Sequence, residues 1–124
     1  MASPARSPYP SHNLAILSGA LSSTPKSRVL PSGDTVVQLE LTTRPTGGST
    51  ASVPVTAEAT LTAKLDLEAG TDVVVIGEVR RRFFRAGGST QSRTEVVATA
   101  VIPARRAAAA ARAVDRAVAL LVDE

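Results

Sequence analysis

Within residues 36–44, reading VVQLELTTR, apolar and polar side chains alternate from Val37 to Thr42. Val37, Leu39 and Leu41 fall on one side, and Gln38, Glu40 and Thr42 on the other. A period of two marks a half-buried strand and commits the chain to a sheet with one side covered. Aromatic residues make up only 2% of the sequence against 44% hydrophobic, so the core under that sheet must be built from Val, Leu, Ile and Ala.

Other segments repeat the pattern. Residues 13–19, NLAILSG, read as a first strand whose closing glycine suggests a bulge or a close backbone approach. Pro31-Ser32-Gly33 signals a turn, and residues 45–50 with Gly47-Gly48 a loop. Val53, Val55 and Ala57 share a face of a third strand. Pro54 lies out of phase with them and has no N–H to donate, which predicts a short, bulged or edge strand. Residues 61–67 predict one or two helical turns closed by Gly70. Residues 72–84 form a long fourth strand opening with VVVI, Gly87-Gly88 turns the chain, and residues 94–102 return as a fifth. Five short strands, a small helix between the third and fourth, and Gly-rich connections are the elements of an OB-fold β-barrel, a closed barrel that binds oligonucleotides on one face.

After Pro103 comes an Ala-rich run of strong helix formers, residues 104–121. Ala107, Ala110, Ala111, Val114, Val118, Leu121 and Val122 predict one apolar stripe, with Arg105, Arg112 and Arg116 opposite. Such a helix packs on its own barrel or on a partner subunit. Its stripe is mostly Ala and lacks aromatic anchors, which argues against membrane association. The fold class is therefore all-β with an added helix. The expected organisation is a flexible segment over 1–12, an OB-fold domain over 13–103, and a C-terminal amphipathic helix over 104–124. Tyr9 and His12 lie in the first segment, and a lone His with no second ligand beside it is expected to be exposed and inert.

Charge is placed unevenly. Residues 51–78 carry Lys64 against Glu58, Asp66, Glu68, Asp72 and Glu78. Residues 79–94, VRRRFFRAGGSTQSRT, hold five arginines, both phenylalanines of the chain and no acidic residue. A basic patch of this kind is an electrostatic footprint for a polyanion, and adjacent rings can stack on unpaired bases. On a strand, Arg80, Arg82 and Phe84 share one face, spaced about 7 Å apart, while Val73, Val75, Gly77 and Val79 share the other.

Several functions are disfavoured. There is no Cys, hence no disulfide or thiolate metal site, which suits a reducing cytoplasm. No apolar run approaches the roughly 20 residues of a membrane span, and the first residues lack the apolar core of a signal peptide. One His, no carboxylate pair in a common motif and no phosphate-loop pattern leave no expected enzyme activity, metal, cofactor or small-molecule substrate. The expected location is cytoplasmic, associated with the nucleoid.

The ordered motifs Asn13-x-x-Ile16-Leu17-x-Gly19-x-Leu21, Leu30-Pro31-Ser32-Gly33, Leu67-x-x-Gly70-x-x-Val73-x-Val75-x-Gly77, Val79-Arg80-x-Arg82 and Thr94-Glu95-Val96-Val97 span about the first hundred positions. In this order and spacing the chain resembles the bacterial single-stranded DNA-binding proteins of the tetrameric, one-OB-fold type. The resemblance implies a homotetramer with strand pairing across subunits through the N-terminal strand, and a role in DNA replication, recombination or repair. It also places Arg28, Arg80, Arg82 and Phe84 at DNA-holding positions, Phe84 as a base-stacking ring. Phe83, Arg85, Arg44 and Arg93 complete the candidate DNA-binding set.

The chain also departs from that family. The family places a Trp in the loop after the second strand and a Trp and a Phe on the third. Here those regions read Pro45-Thr46-Gly47-Gly48 and ASVPVTAE. At about 1–3 kcal/mol per stacked base, the loss is only partly offset by added arginines. The family's acidic C-terminal tip, which recruits repair proteins, is not expected here, since Asp123-Glu124 after a helix is a poor substitute for it. A divergent paralogue with electrostatic, salt-sensitive binding of single-stranded DNA is expected. RNA is an open alternative partner, because stacking and phosphate contacts do not read the 2′-hydroxyl. The alternative function is an OB-fold protein-interaction subunit with weakened nucleic-acid binding, acting through its C-terminal helix.

Overall fold

The computed structural model describes residues 10–122. Residues 1–9 and 123–124 and the side chain of Val122 lie outside the described residues, and with them Tyr9, most of the N-terminal segment and the Asp123-Glu124 tip. Residues 10–14 have no regular structure, and His12 is exposed.

The elements are β1 (Ala15–Leu21), β2 (Lys26–Val29), β3 (Thr35–Thr43), β4 (Ala51–Glu58), α1 (Ala59–Thr62), β5 (Asp72–Ala86), β6 (Ser89–Pro103) and α2 (Ala107–Val122). The strands form one sheet in the order β1-β5-β6-β4-β3-β2. Two short junctions close it into a ring. β1 meets β3 at Ala20↔Thr42 and Leu21↔Leu41, and β4 meets β6 in parallel at Val55↔Val96 and Thr56↔Val97. β1 and β2 both run antiparallel to β3, interrupted by residues 22–25. Counted as one broken strand, they make a five-stranded closed barrel, and the architecture is an OB-fold.

The core follows from the alternation. Val37, Leu39 and Leu41 of β3, Val55 and Ala57 of β4, Val73 and Val75 of β5 and Leu21 of β1 are buried together inside the ring. Burying each Val or Leu contributes about 1.5–3 kcal/mol. Leu61, Leu65 and Leu67 pack against this cluster. Gly19 is the close approach its position suggests. A Cβ there would run into the Thr42 carbonyl oxygen, and one at Gly77 into the Val97 carbonyl. Both glycines let neighbouring backbone come near where the ring bends.

Several expectations need correction. β1 starts and ends two residues later than residues 13–19. β2 is an additional strand whose four residues, KSRV, are all exposed, so only its pairing with β3 makes it one. β4 is neither short nor bulged, since Pro54 sits in unbroken register opposite Glu40. Of the three alternatives the edge is the one seen, because on the side away from β3 the strand pairs with β6 only at Val55 and Thr56 and Pro54 has no partner there. α1 lies earlier than residues 61–67. Helix ends at Thr62, the Leu65 N–H closes a tighter turn on the Thr62 carbonyl, and the leucines cover the barrel as a loop. β5 and β6 extend to Ala86 and back to Ser89, beyond the expected residues 84 and 94.

α2 begins at Ala107 rather than 104, because the Ala104 N–H still donates to the Asp72 carbonyl of the sheet. It packs on β5 and β6. The side that packs is rotated from the expected stripe: Ala110 and Ala117 are buried and Ala113 and Val114 half-buried, whereas Ala107, Ala111, Val118 and Leu121 are exposed. Small side chains let the helix lie close to the sheet. Arg116, expected opposite, borders the groove between helix and sheet with Leu14, Ile76 and Glu78. Among the described residues no helix is long and apolar enough to cross a membrane.

Candidate nucleic-acid interface

Past the rim of the barrel, β5 and β6 continue as a two-stranded ribbon in unbroken register from Gly77↔Ala98 to Ala86↔Ser89. Gly87 and Gly88, with φ of 59° and 83°, form its tip. Two consecutive positive φ values define the two-residue turn whose twist matches antiparallel strands. That turn sets the register, and the register decides which side chains meet.

The base of the ribbon is clamped. Asn13 Nδ2 donates to the Val79 carbonyl at 2.8 Å, and the Val79 N–H donates to Asn13 Oδ1 at 2.8 Å. Asn13 lies two residues before Ala15, which pairs with Gly77. Its side-chain amide thus extends the β1–β5 ladder where the backbone has left it.

One face of the ribbon carries Arg80, Arg82 and Phe84 opposite Glu95, Arg93 and Gln91. Parity puts them together, as expected. Arg82, Phe84 and Arg93 line a groove of about 340 Å³ with Arg28 of β2 and Gln38 of β3. Phe84 is 40% exposed and lies outside the core.

The guanidiniums are not bare. The acid-free segment of the sequence suggests free arginines, but carboxylates reach them from elsewhere in the fold. Arg80 binds Glu78. Arg82 Nη2 lies 3.4 Å from Glu95 Oε1, and Glu95 is 5% exposed. Arg93 Nη2 donates to Glu40 Oε1 at 3.1 Å across the groove. The cause is electrostatic: the register sets Arg82 directly opposite Arg93, and like charges at that spacing repel unless anions intervene. The buried Arg82 Nε has no hydrogen-bond partner. Arg28 makes no ion pair among the described residues. Of the three arginines that line the groove, Arg82 and Arg93 are thus paired with carboxylates and Arg28 is not.

The remaining candidates lie elsewhere. Phe83 and Arg85 project from the opposite face of the ribbon, where Phe83 is 66% exposed. Arg44 borders a separate groove with Ile16, Ser18 and Pro45, about 20 Å along β3 from Gln38. Beside the main groove the outer surface of β3 and β4 carries Glu40, Thr42, Ser52, Pro54 and Thr56, without a ring.

Sequence reading missed Gln38, Glu40, Glu78, Glu95 and Asn13 as parts of the site. Counting back from a two-residue turn at Gly87-Gly88 would have put Glu95 opposite Arg80. No pattern signals Glu40, whose contact with Arg93 crosses 53 positions of chain. Among the described residues no three His, Asp or Glu side chains gather as a metal site.

A solved structure similar in fold is the dimeric N-terminal domain of PriB protein from Thermoanaerobacter tencongensis, with a TM-score of 0.62 and 19% identity, covering 73% of this chain and 94% of that one. No protein-family model and no curated protein matches the sequence. At that identity the likeness speaks for the barrel alone.

Proposed function

We propose that the chain binds single-stranded DNA, without strong sequence preference, in the groove between β2–β3 and the ribbon. The observation that carries this is Phe84, exposed at a groove shared with Arg28, Arg82 and Arg93 on an OB-fold. A base stacks on Phe84, and Arg28 takes a phosphate directly. Arg93 and Arg80 contribute by exchanging their carboxylates for phosphate oxygens, whereas Arg82 keeps the buried Glu95 and meets a phosphate with its remaining N–H groups. Arg44 lies too far along β3 to share the same nucleotides and acts on a longer strand. The role is one of binding rather than reaction, in replication, recombination or repair.

Self-association belongs to this reading. β1 pairs β3 only at Ala20 and Leu21, leaving the edge over residues 15–19 available for pairing with a second copy, and the PriB domain of similar fold is dimeric. A homotetramer is the proposed assembly, on the resemblance set out above.

Titration with oligo-dT and with duplex at two salt concentrations tests the function. Micromolar or tighter binding of oligo-dT is expected, with duplex weaker and affinity falling by about 0.7 log unit per log unit of salt for each phosphate held. The carboxylates on Arg80, Arg82 and Arg93 favour a second reading, a protein-interaction subunit that has lost its DNA face. No binding at low salt supports that reading instead.

A further inference from the structure

The two faces of the β5–β6 ribbon differ in a way that the groove does not use. The groove face mixes arginines with Glu78 and Glu95. The reverse face carries Arg81, Phe83 and Arg85 opposite Thr94, Ser92 and Thr90, with no carboxylate in the row. All three β5 side chains are exposed, and among the described residues neither guanidinium makes an ion pair. Arg85 only reaches the Gly88 carbonyl, at 3.4 Å.

This face continues the inner surface of the barrel. Val73, Val75 and Gly77 are buried, Val79 at the rim is 47% exposed, and Phe83 beyond it is 66% exposed. The strand's apolar side thus leaves the core and becomes a ring flanked by two free cations. A cation, a ring and a cation at alternate positions, spaced about 7 Å apart, with hydroxyls alongside, match a phosphodiester chain carrying an unpaired base.

We infer that the reverse face is a second contact site for single-stranded polynucleotide, formed by Arg81, Phe83 and Arg85. A strand leaving the groove passes the Gly87-Gly88 tip and lies along this face, so that the ribbon is gripped on both sides. The inference rests on the proposed single-strand binding and extends it. The occupant follows from charge: two unpaired guanidiniums in a row without acids select a polyanion, and Phe83 selects one with exposed bases.

The test compares Arg81→Ala/Phe83→Ala with Arg28→Ala/Phe84→Ala and the unaltered chain. Each is titrated with oligo-dT of about 8 nucleotides, enough for one groove, and of about 30, enough to round the ribbon. Loss of Phe83 stacking should weaken the long strand by about tenfold while leaving the short one within about twofold. The groove variant should weaken both lengths. Equal loss of both lengths in Arg81→Ala/Phe83→Ala, or loss of neither, overturns the second site. So does a change of mass in light scattering, which would make a second copy of the chain the occupant. If the unaltered chain binds neither length, the proposed function itself fails, a result separate from these.

Discussion

Arg93 of β6 and Glu40 of β3 meet at 3.1 Å across the groove, each side chain about two-fifths exposed. The pair spans the path proposed for the polynucleotide, so it competes with a phosphate for the same guanidinium. An ion pair this exposed contributes only about 0–1 kcal/mol to folding. Glu40→Gln should therefore leave stability almost unchanged while tightening oligo-dT binding severalfold at low salt. Anisotropy titration reads the gain, which arises because Arg93 no longer has to give up a carboxylate before it takes a phosphate. Unchanged or weaker binding means Arg93 does not hold DNA.

Arg82 plays a different part, because its partner Glu95 is buried. Arg82→Ala strands that carboxylate and should cost about 1–3 kcal/mol in urea unfolding. Arg80→Ala, at an exposed pair with Glu78, should cost less than about 1 kcal/mol. Equal losses in the two variants contradict this division. It also makes Arg82 a poor probe of binding alone, since its removal strikes the fold as well.

Asn13→Ala removes both hydrogen bonds that hold the Val79 backbone at the ribbon's base. The expected loss is about 1–2 kcal/mol, at a net value near 1 kcal/mol per bond. Because the ribbon forms one wall of the groove, oligo-dT affinity should fall too, although Asn13 touches no DNA in this account. Hydrogen exchange at the Val79 amide should accelerate. Unaltered protection there means the clamp contributes nothing.

The packing of α2 is tested by two substitutions of opposite expected effect. Ala117 is buried in the groove beside Leu14 and Ile76, whereas Leu120 is 65% exposed. Ala117→Glu should destabilise by about 2 kcal/mol or more by burying a charge. Leu120→Ala should fall within about 0.5 kcal/mol. The reverse order would contradict the packing of α2 through its small residues.

These contrasts mark how far the sequence was legible. The period-two runs yielded the strands, the core residues and the barrel because burial imposes that period. Arg80, Arg82 and Phe84 were placed on one face for the same reason. β2 escaped because all its residues are exposed and nothing imposes alternation on KSRV. The expected helical stripe shares Ala110 and Val114 with the face that packs but misses Ala113 and Ala117, because in an Ala-rich helix apolar residues occur all round and periodicity alone does not single out one face. The carboxylate partners escaped most completely. Glu78 lies just outside the basic segment, and Glu40 is brought to Arg93 only by closure of the barrel.

Whether the groove lined by Arg28 and Phe84 holds single-stranded DNA is decided by the affinity of Arg28→Ala/Phe84→Ala for oligo-dT at low salt. Neither side chain belongs to the buried core or to an ion pair among the described residues, so the variant should fold as the unaltered chain does. At least about a tenfold loss of affinity and a shallower salt dependence are expected. Binding as tight and as salt-dependent as that of the unaltered chain would contradict single-strand binding in this groove.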